Sequence, residues 1–193
     1  YGDLNPFLAV GGALRRRGHS VVLASPAQYA GDAAREDLEF KALRPAMDSK
    51  DPALMARVMD ARYGSQNLVR ELVMPAVRDT YADLEAASAG ADVAVSHMLT
   101  YALPVLAEKK GLRWLSVVLA PLSFFSSIDP RELAPEPERV SPKTLRRLSR
   151  SWSDPVRALR RELGLPAGAD AIYEGQHSPF GVLALFPGAF AAA

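Results

Sequence analysis

The sequence contains no cysteine. This absence excludes a disulfide scaffold, a thiolate nucleophile and any cysteine-ligated zinc or iron–sulfur site. It also fits a reducing compartment, and we expect a cytoplasmic protein. The sequence also lacks an excess of one charge, because its 23 Lys and Arg residues nearly balance its 22 Asp and Glu residues and leave a formal net charge of +1. No overall field therefore favours nucleic acid as a partner.

Long hydrophobic runs and phosphate-binding loops are also missing. The longest apolar stretches, around 114–122 and 181–187, fall short of the ~20 residues that cross a bilayer. Neither G-x-G-x-x-G nor G-x-x-x-x-G-K-[ST] occurs, which argues against a dehydrogenase or a P-loop enzyme. No two of the three histidines have the i, i+4 spacing of a metal site on one helix. We therefore expect neither a metal nor a bound cofactor.

Strand and helix patterns alternate along the chain. The composition, 49% hydrophobic and 23% charged over 193 residues, is that of one large globular domain. This alternation predicts an α/β fold, a Rossmann-like and mostly parallel sheet with helices on both faces. The predicted strands are Ser20–Ser25, Leu38–Leu43, Asp92–Ser96, Trp114–Leu119 and Gly181–Phe186. The predicted helices are Pro6–Arg17, Pro52–Ala87 with breaks near Gly64 and Pro75, Tyr101–Lys110, Thr144–Arg150 and Asp154–Leu163.

The first residues form a Gly-Asp turn that leads into a helix, with Asn5 as its expected cap and Pro6 at its first position. Such a turn normally follows a strand, so we expect a first, central strand that this chain lacks. We also expect truncation at the other end. Gly11 and Gly12 then lie inside the helix, where they are expected to permit close packing against the sheet.

Ligands of parallel α/β sheets bind beyond the carboxyl ends of the strands. That rule singles out Asp3, whose carboxylate could take a proton from an attacking hydroxyl, although Asp is also a common turn residue. It equally singles out Ser96 and His97, as pocket-lining or buried side chains. The loop with Pro121, Phe124 and Phe125 suits a hydrophobic ligand, and a buried crossover would look the same. His19, in the turn after the first helix, is expected to be structural, with its ring hydrogen-bonded to the backbone.

One stretch is strongly basic. Lys143 to Arg161 holds seven basic residues and one acid, Asp154, interleaved with apolar positions. A solvated helix face is the favoured interpretation. The alternative is peripheral contact with an anionic membrane or another negative partner.

The segment YGDLNPFLAVGGALRRRGHSVVLAS resembles the start of GT-B glycosyltransferases of the family 28 and UDP-glucuronosyl/glucosyltransferase-like type, which include sterol and antibiotic glycosyltransferases. Gly2, Asp3, Pro6, Gly18 and His19 are among the matching positions. The segment DVAVSHMLTYALPVLAEKKGLRWLSVVLAPLSFFSS is similar to the middle of the same domain. The resemblance covers nearly the whole chain.

This resemblance implies an inverting hexosyltransferase without an essential metal. Its N-terminal domain would bind the acceptor, and the turn carboxylate, here Asp3, would be the base. A second domain, absent here, would bind most of the nucleotide diphosphate sugar. We therefore expect residues 1–193 to be a single acceptor-binding domain that is inactive alone, with Ser96, His97, Pro121, Phe124 and Phe125 at a lipophilic acceptor. A sugar-nucleotide epimerase of the same fold and a non-catalytic α/β binding module remain the alternatives.

Overall fold

A computed structural model describes residues 2–48, 50–120 and 141–188 of the chain. It divides into two compact units, Tyr1–Ala91 and Asp92–Ala193. Each unit combines parallel strands with helices, so the predicted α/β class is confirmed. No helix in the described ranges is long and apolar enough to cross a membrane.

The first unit holds five helices and two strands among its described residues. Strands β1 (Val22–Ser25) and β2 (Glu39–Ala42) pair in parallel, with Val22 opposite Glu39 and Ser25 opposite Ala42. Helix α5 (Val77–Ala87) packs on both strands. In chain order the elements are α1 (Asn5–Arg16), β1 (Val22–Ser25), a 3-10 turn (Ala27–Tyr29), α2 (Ala30–Arg35), β2 (Glu39–Ala42), α3 (Pro52–Val58), α4 (Gly64–Gln66) with a π-helical continuation (Asn67–Val73), and α5 (Val77–Ala87).

Helix α1 begins one residue earlier than predicted. Leu4 occupies the cap position, and its carbonyl accepts hydrogen bonds from the N–H groups of Phe7 and Leu8 at 3.0 and 3.1 Å. The prediction that Asn5 caps the helix is therefore wrong, because Asn5 is already helical and no side chain caps this end. At the other end Gly18 has φ +88°, the left-handed conformation that ends a helix without a Cβ penalty.

The two glycines inside α1 allow its close approach to neighbouring side chains. Gly11 and Gly12 are both buried. A Cβ on Gly11 would lie 3.0 Å from Leu38 Cδ1 and 3.6 Å from Val21 Cγ1, and one on Gly12 would lie 2.8 Å from a carboxylate oxygen of Glu36. The predicted packing against the sheet is confirmed for Gly11, whose neighbours directly precede β2 and β1, whereas Gly12 approaches the Glu36 side chain instead.

The second unit carries a three-stranded parallel sheet whose strands lie in the order β3 (Val93–His97), β4 (Arg113–Val118) and β5 (Val182–Ala184). His97 stands opposite Val117, and Val117 stands opposite Leu183, so the three strands end at nearly the same level. Leu106, in the helix between β3 and β4, and Val117, in β4, are fully buried at the centre of the core. The described elements are β3 (Val93–His97), α6 (Ala102–Lys110), β4 (Arg113–Val118), α7 (Pro142–Ser149), a 3-10 turn (Arg150–Ser153), α8 (Asp154–Glu162) and β5 (Val182–Ala184).

All five predicted strands are present, each within about two residues of its predicted ends. Among the described residues, however, hydrogen bonds join them into two separate ladders and not into one sheet. The breaks expected near Gly64 and Pro75 are also present, as is the left-handed Gly111 that ends α6. Helix α2 and the π-helical turns were not predicted. Both are short, and tertiary packing outweighs the weak local preference of such segments.

Substitution at two helical glycines should have opposite effects on stability. Gly31 lies within α2, and a Cβ added there would meet nothing within 4 Å. Gly31→Ala should therefore raise the free energy of unfolding by about 0.4–1 kcal/mol, because Ala loses less backbone entropy on folding. Gly11→Leu should lower it by about 1–3 kcal/mol because its side chain would overlap Leu38. Urea denaturation of both variants measures the difference. Equal stability of the two variants would contradict the close packing of α1.

Candidate functional site

Asp3 lies in an exposed turn directly before α1. Helix α1 is followed by a short turn and then by β1, so helix and strand run in opposite directions. Asp3 therefore lies at the same end of its unit as Ser25, the carboxyl end of β1. This is the edge at which parallel α/β sheets receive ligands. An exposed carboxylate at this edge is placed where it can accept a proton from a bound hydroxyl.

The chain leaving β2 at this edge is held by an ion-pair cluster that sequence reasoning missed. The Arg44 guanidinium contacts Asp79 at 2.8 Å and Asp83 at 2.7 Å, and the Arg44 backbone N–H donates to Asp83 at 2.9 Å. The Thr80 hydroxyl donates to the Arg44 carbonyl at 2.7 Å. The hydrogen bond from Arg44 holds the pKa of the Asp83 carboxyl below its ordinary value, against the opposing effect of partial burial. These bonds fasten the loop after β2 to α5.

Ser96 and His97 end strand β3 and face different surroundings. Ser96 is 5% exposed, and its hydroxyl donates to the His97 carbonyl at 3.0 Å. His97 is partly exposed, and its Nδ1 accepts the backbone N–H of Leu99 at 3.3 Å. Since Nδ1 accepts, a neutral His97 ring carries its proton on Nε2. Of the two predicted residues, only His97 has access to solvent at the carboxyl end of β3. Ser96 is buried and stabilises the end of the strand through its hydrogen bond to the His97 carbonyl.

The remaining predicted acceptor residues follow β4. Strand β4 ends at Val118, and the structure describes the chain as far as Ala120. Pro121, Phe124 and Phe125 lie outside the described residues. Their assignment to the acceptor stays a prediction from the sequence.

His19 differs from its predicted role in one respect. The His19 residue is exposed. Its backbone N–H, and not its ring, takes part in the turn by donating to the Leu14 carbonyl at 3.2 Å. The prediction of a ring held by the backbone is not reproduced. The turn itself is stabilised by its main chain.

A cavity of about 420 Å³ lies within the second unit, bounded by α6, the start of β4, α8 and residues 168–180. Its volume is within the range of small-molecule sites, and its walls are mostly apolar. None of Asp3, Ser96 and His97 lines it. The lining includes Tyr101, Glu108, Trp114, Arg160, His177 and Phe180.

Arg160 forms the polar wall of this cavity. It is 8% exposed, its Nη2 donates to both carboxylate oxygens of Glu108 at 2.8 and 3.0 Å, and its Nε donates to the Pro166 carbonyl at 2.7 Å. A Cβ on Gly168 would lie 2.7 Å from the Arg160 Cζ atom, so the glycine makes room for the guanidinium. Sequence reasoning did not single out this pair, because its members are 52 residues apart.

The segment that carries His177 is fastened to β4 by two serines. The Ser178 hydroxyl donates to the Trp114 carbonyl at 2.5 Å, and the Ser178 N–H donates to the Ser116 hydroxyl at 3.1 Å. Both serines are buried. Burial also lowers the pKa of the His177 imidazole below 6.5, and the nearby charge of Glu174 opposes that shift. The folded state therefore favours a neutral His177.

The lowered pKa of His177 makes stability depend on pH. Above about pH 6.5 the ring is neutral in both states, and the free energy of unfolding is at its full value. As pH falls below 6.5, the unfolded chain binds a proton that the folded chain still excludes, so stability is lost. His177→Gln should show a smaller loss between pH 7.5 and pH 5.5 in urea denaturation. An unchanged pH dependence in this variant would contradict the burial of a neutral ring.

Comparison with protein-family models and with curated proteins finds no match. Solved structures do match. They include the glycosyltransferase of kitacinnamycin (21% identity, TM-score 0.55, 88% of this chain and 39% of that one) and SsfS6 of Streptomyces sp. SF2575, a glycosyltransferase (16%, 0.55, 93% and 45%). The spinosyn rhamnosyltransferase SpnG also matches (17%, 0.56, 97% and 43%). SsfS6 has been solved with thymidine diphosphate as well.

These likenesses show the fold. The chain has the α/β arrangement of the N-terminal domain of GT-B glycosyltransferases, and it spans about two fifths of the length of these structures. Among the described residues, no three His, Asp or Glu side chains are grouped in a way that could hold a metal ion.

Proposed function

We propose that the chain is the acceptor-binding part of a glycosyltransferase that moves a hexose from a nucleotide diphosphate sugar to a hydroxyl of a lipophilic acceptor. The observation that carries the proposal is the fold likeness, over most of this chain, to solved structures named as the glycotransferase of kitacinnamycin and as the spinosyn rhamnosyltransferase SpnG. The exposed Asp3 at the carboxyl end of its unit adds a group suited to that chemistry. A polyketide-like, lipid or sterol acceptor fits this proposal.

In the proposed reaction, Asp3 accepts the proton of the acceptor hydroxyl. The hydroxyl oxygen then bonds to the anomeric carbon of the sugar, and the bond from that carbon to the phosphate oxygen breaks. The electron pair of the broken bond leaves with the nucleoside diphosphate. Because the hydroxyl attacks on the face opposite this leaving group, the anomeric centre is inverted. The charge on the leaving group requires cationic or N–H partners. This chain has no phosphate-binding motif, so we assign that task to residues outside it.

The proposed acceptor site combines residues with two roles. His97 contacts the polar edge of the acceptor, and Ser96 acts as a positioning residue because it is buried against the strand end. Pro121, Phe124 and Phe125 supply apolar surface, an assignment supported by the sequence alone. The proposal needs no metal and places the reaction in the cytoplasm.

Two alternatives differ in what they do to the nucleotide sugar. A sugar-nucleotide epimerase of this fold would change the sugar without any acceptor. A non-catalytic α/β binding module would leave it intact. The likeness to named sugar-transfer enzymes favours the glycosyltransferase over both.

Asp3→Asn should lower kcat of the protein that contains this chain by about 10²–10⁴-fold, the usual contribution of a positioned base. The amide keeps the shape of the side chain and cannot take up the proton. Asp3 is exposed, so the melting temperature should not change. Steady-state kinetics of product formation measure the effect.

Asp92→Asn is the matched control for this experiment. Asp92 is also an exposed aspartate next to a parallel strand, but it precedes β3 at the amino end, away from the ligand-binding edge. Its kcat should stay within about twofold of the wild type, because surface changes away from a site have small effects. Near-normal turnover of Asp3→Asn, or equal losses in both variants, would rule out Asp3 as the base.

His97→Ala should weaken acceptor binding by roughly 2- to 12-fold, the range expected for one hydrogen bond, with little change in donor affinity. His19→Ala, at an exposed turn outside the proposed site, should change neither affinity. Calorimetric titration with acceptor and donor compares the two variants. Unchanged acceptor binding in His97→Ala would remove this residue from the proposed site.

A further inference from the structure

The cavity of the second unit is lined by two buried side chains whose hydrogen-bond donors the fold does not fully use. Arg160 is 8% exposed, and its Nε and Nη2 groups donate to the Pro166 carbonyl and the Glu108 carboxylate. Its Nη1 group makes no hydrogen bond with any residue that the structure describes. Tyr101 is 4% exposed, and within the described part of the chain its hydroxyl has no hydrogen-bond partner. Buried polar groups are usually paired, so a bound molecule with acceptor atoms would complete both side chains.

Both groups are donors at neutral pH. Burial, together with the negative charge of Asp170, raises the pKa of the Tyr101 hydroxyl above its ordinary value, so the hydroxyl keeps its proton. The Arg160 guanidinium has N–H donors and no acceptor. The atoms that satisfy both side chains are therefore acceptor oxygens on the ligand.

The two donors lie at different levels of α6. Tyr101 directly precedes this helix, and Glu108, which binds the Arg160 guanidinium, follows seven residues later. Seven residues of α-helix rise about 10 Å. Between these levels, Pro104 and Val105 form an apolar part of the cavity wall. A molecule that reaches both donors must therefore be elongated, with an apolar middle and an oxygen near each end.

Two aromatic side chains favour rings in the middle of such a molecule. Trp114 is 5% exposed, Phe180 is 63% exposed, and both line the cavity. The Phe180 N–H donates to the Ser178 hydroxyl at 3.0 Å, which fixes the backbone of Phe180 next to β4. Aromatic side chains pack well on flat rings, in stacked or edge-to-face arrangements.

The charge of Arg160 is already balanced. Its guanidinium lies 2.8 Å from the Glu108 carboxylate. His177, also in the cavity wall, is neutral at pH 7 because burial lowers the pKa of its imidazole. An anionic ligand at the guanidinium would meet the Glu108 carboxylate, and like charges at close range repel. Neutral carbonyl oxygens can accept from both donors without that repulsion.

We propose that this cavity binds an elongated, neutral, ring-containing molecule with a carbonyl oxygen near each end, held by the Tyr101 hydroxyl and the Arg160 Nη1 group. The volume of about 420 Å³ is within the range of small-molecule sites. None of Asp3, Ser96 and His97 lines the cavity, so this site is additional to the proposed acceptor site.

The test is a ligand-observed NMR titration of the protein that contains this chain with three probes on one ring system. The diketone 2,6-diacetylnaphthalene has the proposed chemistry, the hydrocarbon 2,6-diethylnaphthalene has no oxygen, and naphthalene-2,6-dicarboxylate is anionic. The diketone should bind about 5- to 150-fold more tightly than the hydrocarbon, the range expected for two hydrogen bonds. The dicarboxylate should bind more weakly than the diketone.

Tyr101→Phe should lower the preference for the diketone over the hydrocarbon by about 2- to 12-fold, the range for one hydrogen bond. Its melting temperature should not fall, because the hydroxyl bonds no described residue. Arg160→Lys, which keeps the charge beside Glu108 and lacks Nη1, should lower the preference by a similar factor.

The matched control is Tyr173→Phe. Tyr173 is also a buried tyrosine of the second unit, but its hydroxyl lies 2.7 Å from the Ser149 hydroxyl and it does not line the cavity. This variant should melt earlier and keep the preference for the diketone.

Three results would overturn the proposal: no diketone binding, tighter binding of the hydrocarbon or the dicarboxylate, or an unchanged preference in Tyr101→Phe. A preference that falls in His97→Ala and not in Tyr101→Phe would place the diketone at the proposed acceptor site and would overturn it as well. Glycosyl transfer is measured by product formation and does not depend on these titrations. The two proposals therefore fail independently.

Discussion

Parallel pairing of strands is the constraint on which the rest of this structure depends. A parallel pair cannot be joined by a tight hairpin, so the chain must return over the sheet, usually through a helix. Each return brings the next strand to the same edge, and every strand of the β3-β4-β5 ladder therefore ends on one side. The carboxyl ends of both units carry the residues proposed for the reaction, Asp3 in the first and His97 in the second.

Hydrogen bonds and ion pairs fix the chain next to the strands of each unit. In the first unit, Arg44 bonds Asp79 and Asp83 and so fixes the chain that leaves β2. In the second, at the amino end of β5, buried Ser116 and Ser178 bind the segment before β5 to β4. Buried hydroxyls and backbone groups are costly to leave without hydrogen bonds, which makes such ties specific. Exposed ion pairs contribute less to stability, and the Arg44 cluster acts chiefly on geometry.

Much of the fold could be predicted because local residues determine it. β-branched runs mark the strands, and Gly18 and Gly111 end α1 and α6 in the left-handed conformation. The exposed turn of Asp3 follows from the same local pattern. The Arg44 cluster and the Arg160–Glu108 wall of the cavity could not be foreseen, because their partners are 35 to 52 residues apart and no periodicity links them. The ion pairs of the basic stretch could not be foreseen either, because Arg146, Arg157 and Arg160 meet the distant Glu174, Asp170 and Glu108 in turn, Arg157 at 3.8 Å.

The central claim is that Asp3 and the carboxyl-end residues serve sugar transfer to a hydroxyl. The most direct measurement is mass spectrometry of the products formed when the protein that contains this chain meets a panel of nucleotide diphosphate hexoses and lipophilic alcohols. The account predicts an acceptor heavier by one hexosyl unit, together with free nucleoside diphosphate, only when both substrates are present. An isomerised nucleotide sugar formed without acceptor, or intact substrates throughout the panel, would contradict it.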